Sequence, residues 1–169
     1  MATTLAGNVN LGLNFDYLST GTGFDTLQGL LRYTNSPTAY TSGAGDNQVN
    51  AIYVSKARSL AATNESFDLN ALTDIYGTTL NFTKVKLLFI KNLAHLVASP
   101  SGKTLTLTGD FLTQAGVGVA AGGKIVGPGG IEFWDNPLDG FTVTATTADV
   151  ITVTNAATFT YDLIIMGVV

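Results

Sequence analysis

The sequence contains no cysteine. Disulfides, thiolate metal sites and cysteine nucleophiles are therefore excluded, and the redox compartment is left open. Histidine occurs once, as His95 in NLAHLVAS. A Ser–His–Asp site would need it, yet no serine stands in a G-x-S-x-G elbow, so it reads as a loop histidine. Glutamate occurs only as Glu65 and Glu132. Glu132 alternates with Ile131 and Phe133 and so points away from them, which gives little support to a paired-carboxylate glycosidase. Charge is scarce as well, at 12% of residues, with eight basic and twelve acidic side chains and a net charge of −4. No basic stripe exists to track a nucleic-acid backbone. The densest basic run, Lys84, Lys86 and Lys91, reads as the solvated face of a strand. Long hydrophobic runs are also missing. LLFI (87–90) and LIIMGVV (163–169) fall far short of the roughly 20 residues of a membrane helix. The opening MATTLAGNVN has neither a basic nor an apolar signal region. The expectation is a soluble chain made in the cytoplasm, with no cofactor, no metal, no direct nucleic-acid contact and no membrane.

What is present is a succession of short strand patterns. NVNLGLNFDY (8–17) alternates, with Val9, Leu11, Leu13, Phe15 and Tyr17 on one parity. Residues 19–48 are rich in Gly, Ser, Thr and Asn and read as an irregular loop with a short strand at 30–33. The strand pattern resumes with 48–61 and 66–72, followed by a turn at 72–77. LNFTKVKLLFIKN (80–92) has a continuous apolar middle, as expected for a strand covered on both faces. KTLTLTG (103–109) alternates, residues 114–130 are punctuated by glycine, and strands follow at 131–134, 140–147, 149–155 and 158–167. Many short Thr- and Val-rich strands without a long helical period predict an all-β antiparallel β-sandwich, jelly-roll-like. The expected organisation is an N-terminal arm and irregular loop over 1–47 and a sandwich domain over 48–169.

The stretch GPGGIEFWDNP (127–137) looks most like a site, because it sets the only tryptophan beside two carboxyl-bearing or amide residues and a flexible turn. Asp135, Asn136 and Asp139, and separately Asp46 and Asn47, do not match a calcium loop and read as turn residues. Gly116, Gly118 and Ala121 fit G-x-G-x-x-A by count but lack the strand–turn–helix setting of a dinucleotide site. Trp134 could stack on a sugar in a carbohydrate-binding module of a receptor-binding protein, or it could close the core at an end of the sandwich. Pro128, Gly129 and Gly130 make a tight turn into a strand on which Ile131 and Phe133 share one face and Glu132 and Trp134 the other. The candidate interaction residues are Trp134, Phe133 and Asp135 here, and Phe15 and Tyr17 in the N-terminal strand. The polar, glycine-rich character of this region leaves it little core of its own, and residues 1–20 or 19–48 are expected to contact neighbouring subunits.

The order of short motifs in 48–167 carries a resemblance. It runs through SKARSLAATNESFDLNALTDIYGTTLNFTKVK (55–86), KVKLLFIKN (84–92), PGGIEFW (128–134), DVITVTN (149–155) and TYDLIIMG (160–167). In this order the chain resembles a family of small virion structural proteins of tailed bacteriophages. The resemblance implies a non-enzymatic particle component: a head decoration (cement) protein, or a nearby tail or connector subunit. It implies virion localisation, a closed homo-oligomer with three-fold symmetry expected, and the major capsid protein or other virion proteins as partners. It transfers positions of structure only: Pro128, Gly129 and Gly130 as a turn, Asn92 as a strand end, and Tyr161 and Asp162 in the last strand.

Overall fold

The structure is a computed structural model. It describes residues 7–9, 12–20, 26–34, 38–60, 64–98, 100–116, 123–155 and 158–169, with side chains from residue 39 onward. Its strands are β1 (Gly7–Val9), β2 (Gly12–Thr20), β3 (Thr26–Thr34), β4 (Thr38–Ser42), β5 (Gln48–Val49), β6 (Ala51–Leu60), β7 (Asn64–Asp68), β8 (Leu72–Thr73), β9 (Thr79–Leu80), β10 (Lys84–Asn92), β11 (Leu105–Thr108), β12 (Lys124–Val126), β13 (Ile131–Asp135), β14 (Phe141–Thr142), β15 (Val150–Thr154) and β16 (Phe159–Val168). A 3-10 turn spans Ala94–Leu96, and a short helix, α1, spans Asp110–Gln114.

Two antiparallel sheets pack face to face as a β-sandwich. The first has the order β13-β10-β16-β6, with β14 added beside β10, and the second has the order β12-β11-β15-β7. Chain order alternates between them. β6 lies in the first sheet, β7 in the second and β10 in the first; β11 and β12 are in the second, β13 in the first, β15 in the second and β16 in the first. The core forms where one parity of each strand meets the other sheet. Tyr161, Leu163 and Ile165 of β16 and Leu88 and Ile90 of β10 face Ile151 and Val153 of β15 and Leu105 and Leu107 of β11.

Local chemistry fixes the ends of these strands. Gly130 N donates to Gly127 O (2.9 Å) across the Pro128–Gly129 turn, where Gly129 has φ 75°. Asn92 locks that turn to β10: its N–H donates to Gly130 O (3.0 Å), and Gly129 N donates to its carbonyl (2.9 Å). Asp110 starts α1. Its Oδ1 accepts from Phe111 N (2.7 Å) and Val150 N (2.8 Å), tying the helix to β15.

Three sequence expectations are corrected. Within the stretch 19–48, read as irregular loop, residues 26–34 are a full strand, because β2 and β3 form a nine-pair ribbon from Gly12↔Thr34 to Thr20↔Thr26. Pairing supplies the order that the Gly- and Thr-rich composition conceals. The glycine-rich stretch also hid a strand, β12, which borrows its register from β11. Lys86 is not on a solvated face. A bulge between Val85 and Leu87 breaks the alternation and turns Lys86 inward, where it is 1% exposed.

Candidate interaction surface

The sandwich has two outer faces of opposite character. On the second sheet the register places Thr106 of β11 beside Thr154 of β15, which lies beside Asn64 of β7. The next row is Thr108, Thr152 and Ser66, with Ser66 Oγ 3.1 Å from Thr152 Oγ1. This face is hydroxyl-rich, apart from Ile125 at the β12 edge. It is the ordinary wet side of a sheet.

The first sheet presents apolar residues on its outer side. One row runs Phe133, Phe89, Ile164 and Val54 across all four strands, and the next runs Asp135, Leu87, Met166 and Ile52. A third, Ile131, Lys91 and Asp162, forms a mixed rim. Asp162 Oδ1 accepts from Ala57 N (2.7 Å) where β6 bulges. Leu87 is buried but lies outside the main core, whereas Phe133, Phe89, Ile164, Val54, Met166 and Ile52 keep part of their surface in water and Ile131 is 53% exposed. The apolar middle of β10, expected to be covered on both faces, meets the core on one side, and on the other Leu87 is buried while Phe89 keeps part of its surface in water.

Segment β4–β5 caps one end of this face. Tyr40, 2% exposed, donates its hydroxyl to Asp135. Burial, with the Asp135 carboxylate beside it, pushes the Tyr40 phenol well above its usual range. Behind this contact, the Lys86 ammonium donates to the carbonyls of Pro137 (3.1 Å) and Leu138. Burial and neighbouring Lys84 lower the pKa of Lys86, and Asp46 and Asp139 oppose that shift. The Asp135–Asp139 turn is therefore built around a lysine cation. Asn136 closes it, with Nδ2 donating to Gly140 O (3.1 Å) and Gly140 N donating to Asn136 O (3.0 Å).

Both glutamates join the two sheets, at opposite edges. Glu132 on β13 pairs with Lys124 on β12 (3.2 Å). At the other edge Glu65 on β7 receives Arg58 Nε (2.8 Å) and Nη2 from β6, and the Tyr161 hydroxyl donates to its second oxygen (2.7 Å). The Arg58 guanidinium also lies 5.1 Å from the Phe67 ring centroid, and Phe67 meets Tyr53 edge-on at 6.1 Å. Arg58 and then Tyr161 hold the Glu65 carboxyl below its usual range despite partial burial. Burial and Glu65 raise the Tyr161 phenol well above its own. Because the Glu65 pKa is depressed on folding, its contribution is complete above the ordinary carboxylate range and is lost as pH falls through the folded value. Glu65→Gln should cost about 1 kcal/mol at pH 7, a figure kept small by partial exposure, and should lessen the fall in stability between pH 5 and pH 2. Denaturant midpoints across that range check this, and an unchanged acid profile would refute it.

The sequence-derived interaction residues separate in the structure. Phe133 lies in the apolar outer row and Asp135 at its capped end. Trp134 pairs with Leu88 on the inner parity and packs against the core, so its indole is not a free platform for a sugar ring. Phe15 and Tyr17 lie on β2 opposite Leu31 and Gly29, and their side chains are outside the described residues. His95 sits exposed on the 3-10 turn beside Gly129. Among the described residues no group of three or more His, Asp or Glu side chains could hold a metal ion, and no helix is long and apolar enough to cross a membrane. Sequence reasoning missed the outer faces of β6 and β16. The available signal was the unbroken run Leu163–Ile164–Ile165–Met166, apolar on both parities as in β10. No family model, curated protein or solved structure matches the chain.

Proposed function

We propose that this protein is a structural subunit of a tailed-bacteriophage particle, a decoration protein that binds the assembled capsid and stabilises it. The observation that carries the reading is the contrast between the two outer faces: hydroxyl-rich on the second sheet, apolar across four strands on the first. A part made for assembly needs one face for water and one for protein. The motif order in 48–167 supports the same reading. So does the repeated passage of the chain between a five-stranded and a four-stranded sheet, which we infer to be a jelly roll, an architecture used by capsid domains among others.

Binding only the closed shell stabilises it by mass action, about 2.7 kcal/mol per site at a hundredfold excess over Kd. Particles assembled without the protein should release DNA at lower temperature or lower salt than complete ones, and added protein should restore them. The checks are mass spectrometry of purified particles and dye-accessible DNA on heating. Absence from particles would sink the reading, as would equal stability with and without the protein. Labelling confined to the tail or neck would sink the decoration role in favour of a connector subunit.

A further inference from the structure

We infer that the apolar outer face of the first sheet is covered by the β2–β3 ribbon of a second copy of this chain. The inference rests on the reading of the protein as an assembly subunit and names what that face receives.

The ribbon itself is the first argument. β2 and β3 form a two-stranded sheet of their own, nine residues on each strand. Such a ribbon is marginal in water without something packed on it. Its register places Leu13 opposite Tyr33, Phe15 opposite Leu31 and Ser19 opposite Leu27, so these positions and Tyr17 share one face. The other face carries Asn14, Asp16, Gln28 and Arg32, together with Leu18 and Leu30. The register of the ribbon is thus as two-sided as that of the sandwich, and among the described strands β2 and β3 pair only with each other.

Fit is the second argument. At about 3.3 Å per residue a nine-residue strand extends about 30 Å, and four strands at about 4.8 Å make a face about 19 Å across. One ribbon can therefore cross the whole outer face as a third layer, stacking apolar side on apolar side.

The third argument identifies the donor. With the whole chain present, Phe133, Phe89, Ile164 and Val54 still keep part of their surface in water, so nothing within the chain covers the row completely. The next strand after the ribbon, β4, is pinned by the Tyr40–Asp135 hydrogen bond at one end of the face. Only three residues separate Thr34, the end of the ribbon, from Thr38 at the start of β4, so the ribbon is tethered near that end of the face. One ribbon and one open face per chain are satisfied together in any closed ring of subunits.

The absence of cysteine makes the test clean. Phe15→Cys and Ile164→Cys are made separately in the full chain, mixed and oxidised. A disulfide between one copy of each is expected, with far less when Phe15→Cys is mixed with Thr106→Cys on the hydroxyl-rich face. In parallel, sedimentation should give an oligomer for the unmodified chain. Ile164→Glu and Leu31→Asp should each weaken association at least about 100-fold. Circular dichroism and Trp134 fluorescence report whether the sandwich survives; Leu31→Asp lies outside it and keeps the test valid if Ile164→Glu misfolds. A monomeric unmodified chain overturns the inference. An oligomer indifferent to both substitutions does so too, as does a cross-link found only within a double-cysteine chain, or a face filled only by another virion protein. The two readings fail separately. A monomer that still decorates particles removes the ribbon exchange alone, and an exchanged oligomer absent from particles removes the decoration role alone.

Discussion

Gly167→Ala should lower stability by about 3–5 kcal/mol, a large share of the 5–15 kcal/mol that holds a domain together. Gly167 lies in β16 opposite Val85 of β10, next to the bulge that turns Lys86 inward. A Cβ at this position would overlap the Lys84 carbonyl oxygen and meet Phe82 Cδ1 at 3.0 Å. The oxygen belongs to the backbone of the neighbouring strand and cannot withdraw without opening the pairing of the two central strands. Nor can the bulge relax, because Lys86 is held by the Pro137 and Leu138 carbonyls. Overpacking against backbone in a close-packed interior is not absorbed by rotamer changes. For a domain of this size the expected loss is a melting temperature lower by about 10 °C or more. Gly127→Ala is the control, since nothing lies within 4 Å of its added Cβ. If both variants melt within a degree or two of the unmodified protein, the close approach of β10 and β16 is wrong.

Asn92→Ala should cost about 3–4 kcal/mol for a different reason. Asn92 is fully buried, and its side chain serves three backbone groups. Nδ2 donates to Lys103 O and Val126 O (2.9 Å each), and Oδ1 accepts from Ala94 N (2.8 Å). The residue joins the end of β10 to β12 in the other sheet and to the 3-10 turn. Alanine leaves those groups unpaired in the interior and adds a cavity. Asn92→Asp separates hydrogen bonding from size. A carboxylate would still accept from Ala94 N but would press negative oxygen against two carbonyls, so its pKa rises on folding. That variant should therefore be most stable below the ordinary aspartate range and lose stability as pH rises through the folded value. Denaturant unfolding from pH 3 to pH 8 measures both changes. A loss below 1 kcal/mol in Asn92→Ala, or a flat pH profile in Asn92→Asp, would refute the assigned role.

The strand skeleton of the sandwich could be read from alternation alone. β11, β15 and the early part of β16 carry the period of two, and Pro128–Gly129–Gly130 and Asp135–Asn136–Pro137 announce the ends of β13. Elements whose order comes from a partner strand rather than from their own composition could not be read in full. β12, and β3 outside the short strand read at 30–33, look like loop because pairing, not composition, holds them. Parity misled at Lys86, since one bulge residue reverses every inference about faces beyond it. The partners of the glutamates were equally hidden. Nothing local ties Glu132 to Lys124, and the nearer pair, Arg58 and Glu65, meets only because β6 and β7 lie in different sheets. Phe133 and Asp135 were marked for proximity to Trp134, yet it is the neighbours across the strands, Phe89 and Ile164, that give Phe133 its surface.

The strand order of the first sheet sets a timetable for synthesis. β16 sits between β10 and β6, and Phe159 pairs with Leu60 while Gly167 pairs with Ala51. The sheet therefore cannot close until residue 168 has left the ribosome, and closure joins segments about a hundred residues apart in the chain. Contacts of that sequence separation make folding slow, in the range of milliseconds to seconds. Through the wait, β6 has no partner among the described strands and β10 is paired on one edge only, with β13 and β14, which leaves open strand edges of the form in which nascent chains aggregate. A chain stalled before β16 would be a natural client for a holdase chaperone, and its rescue would depend on the arrival of a single strand.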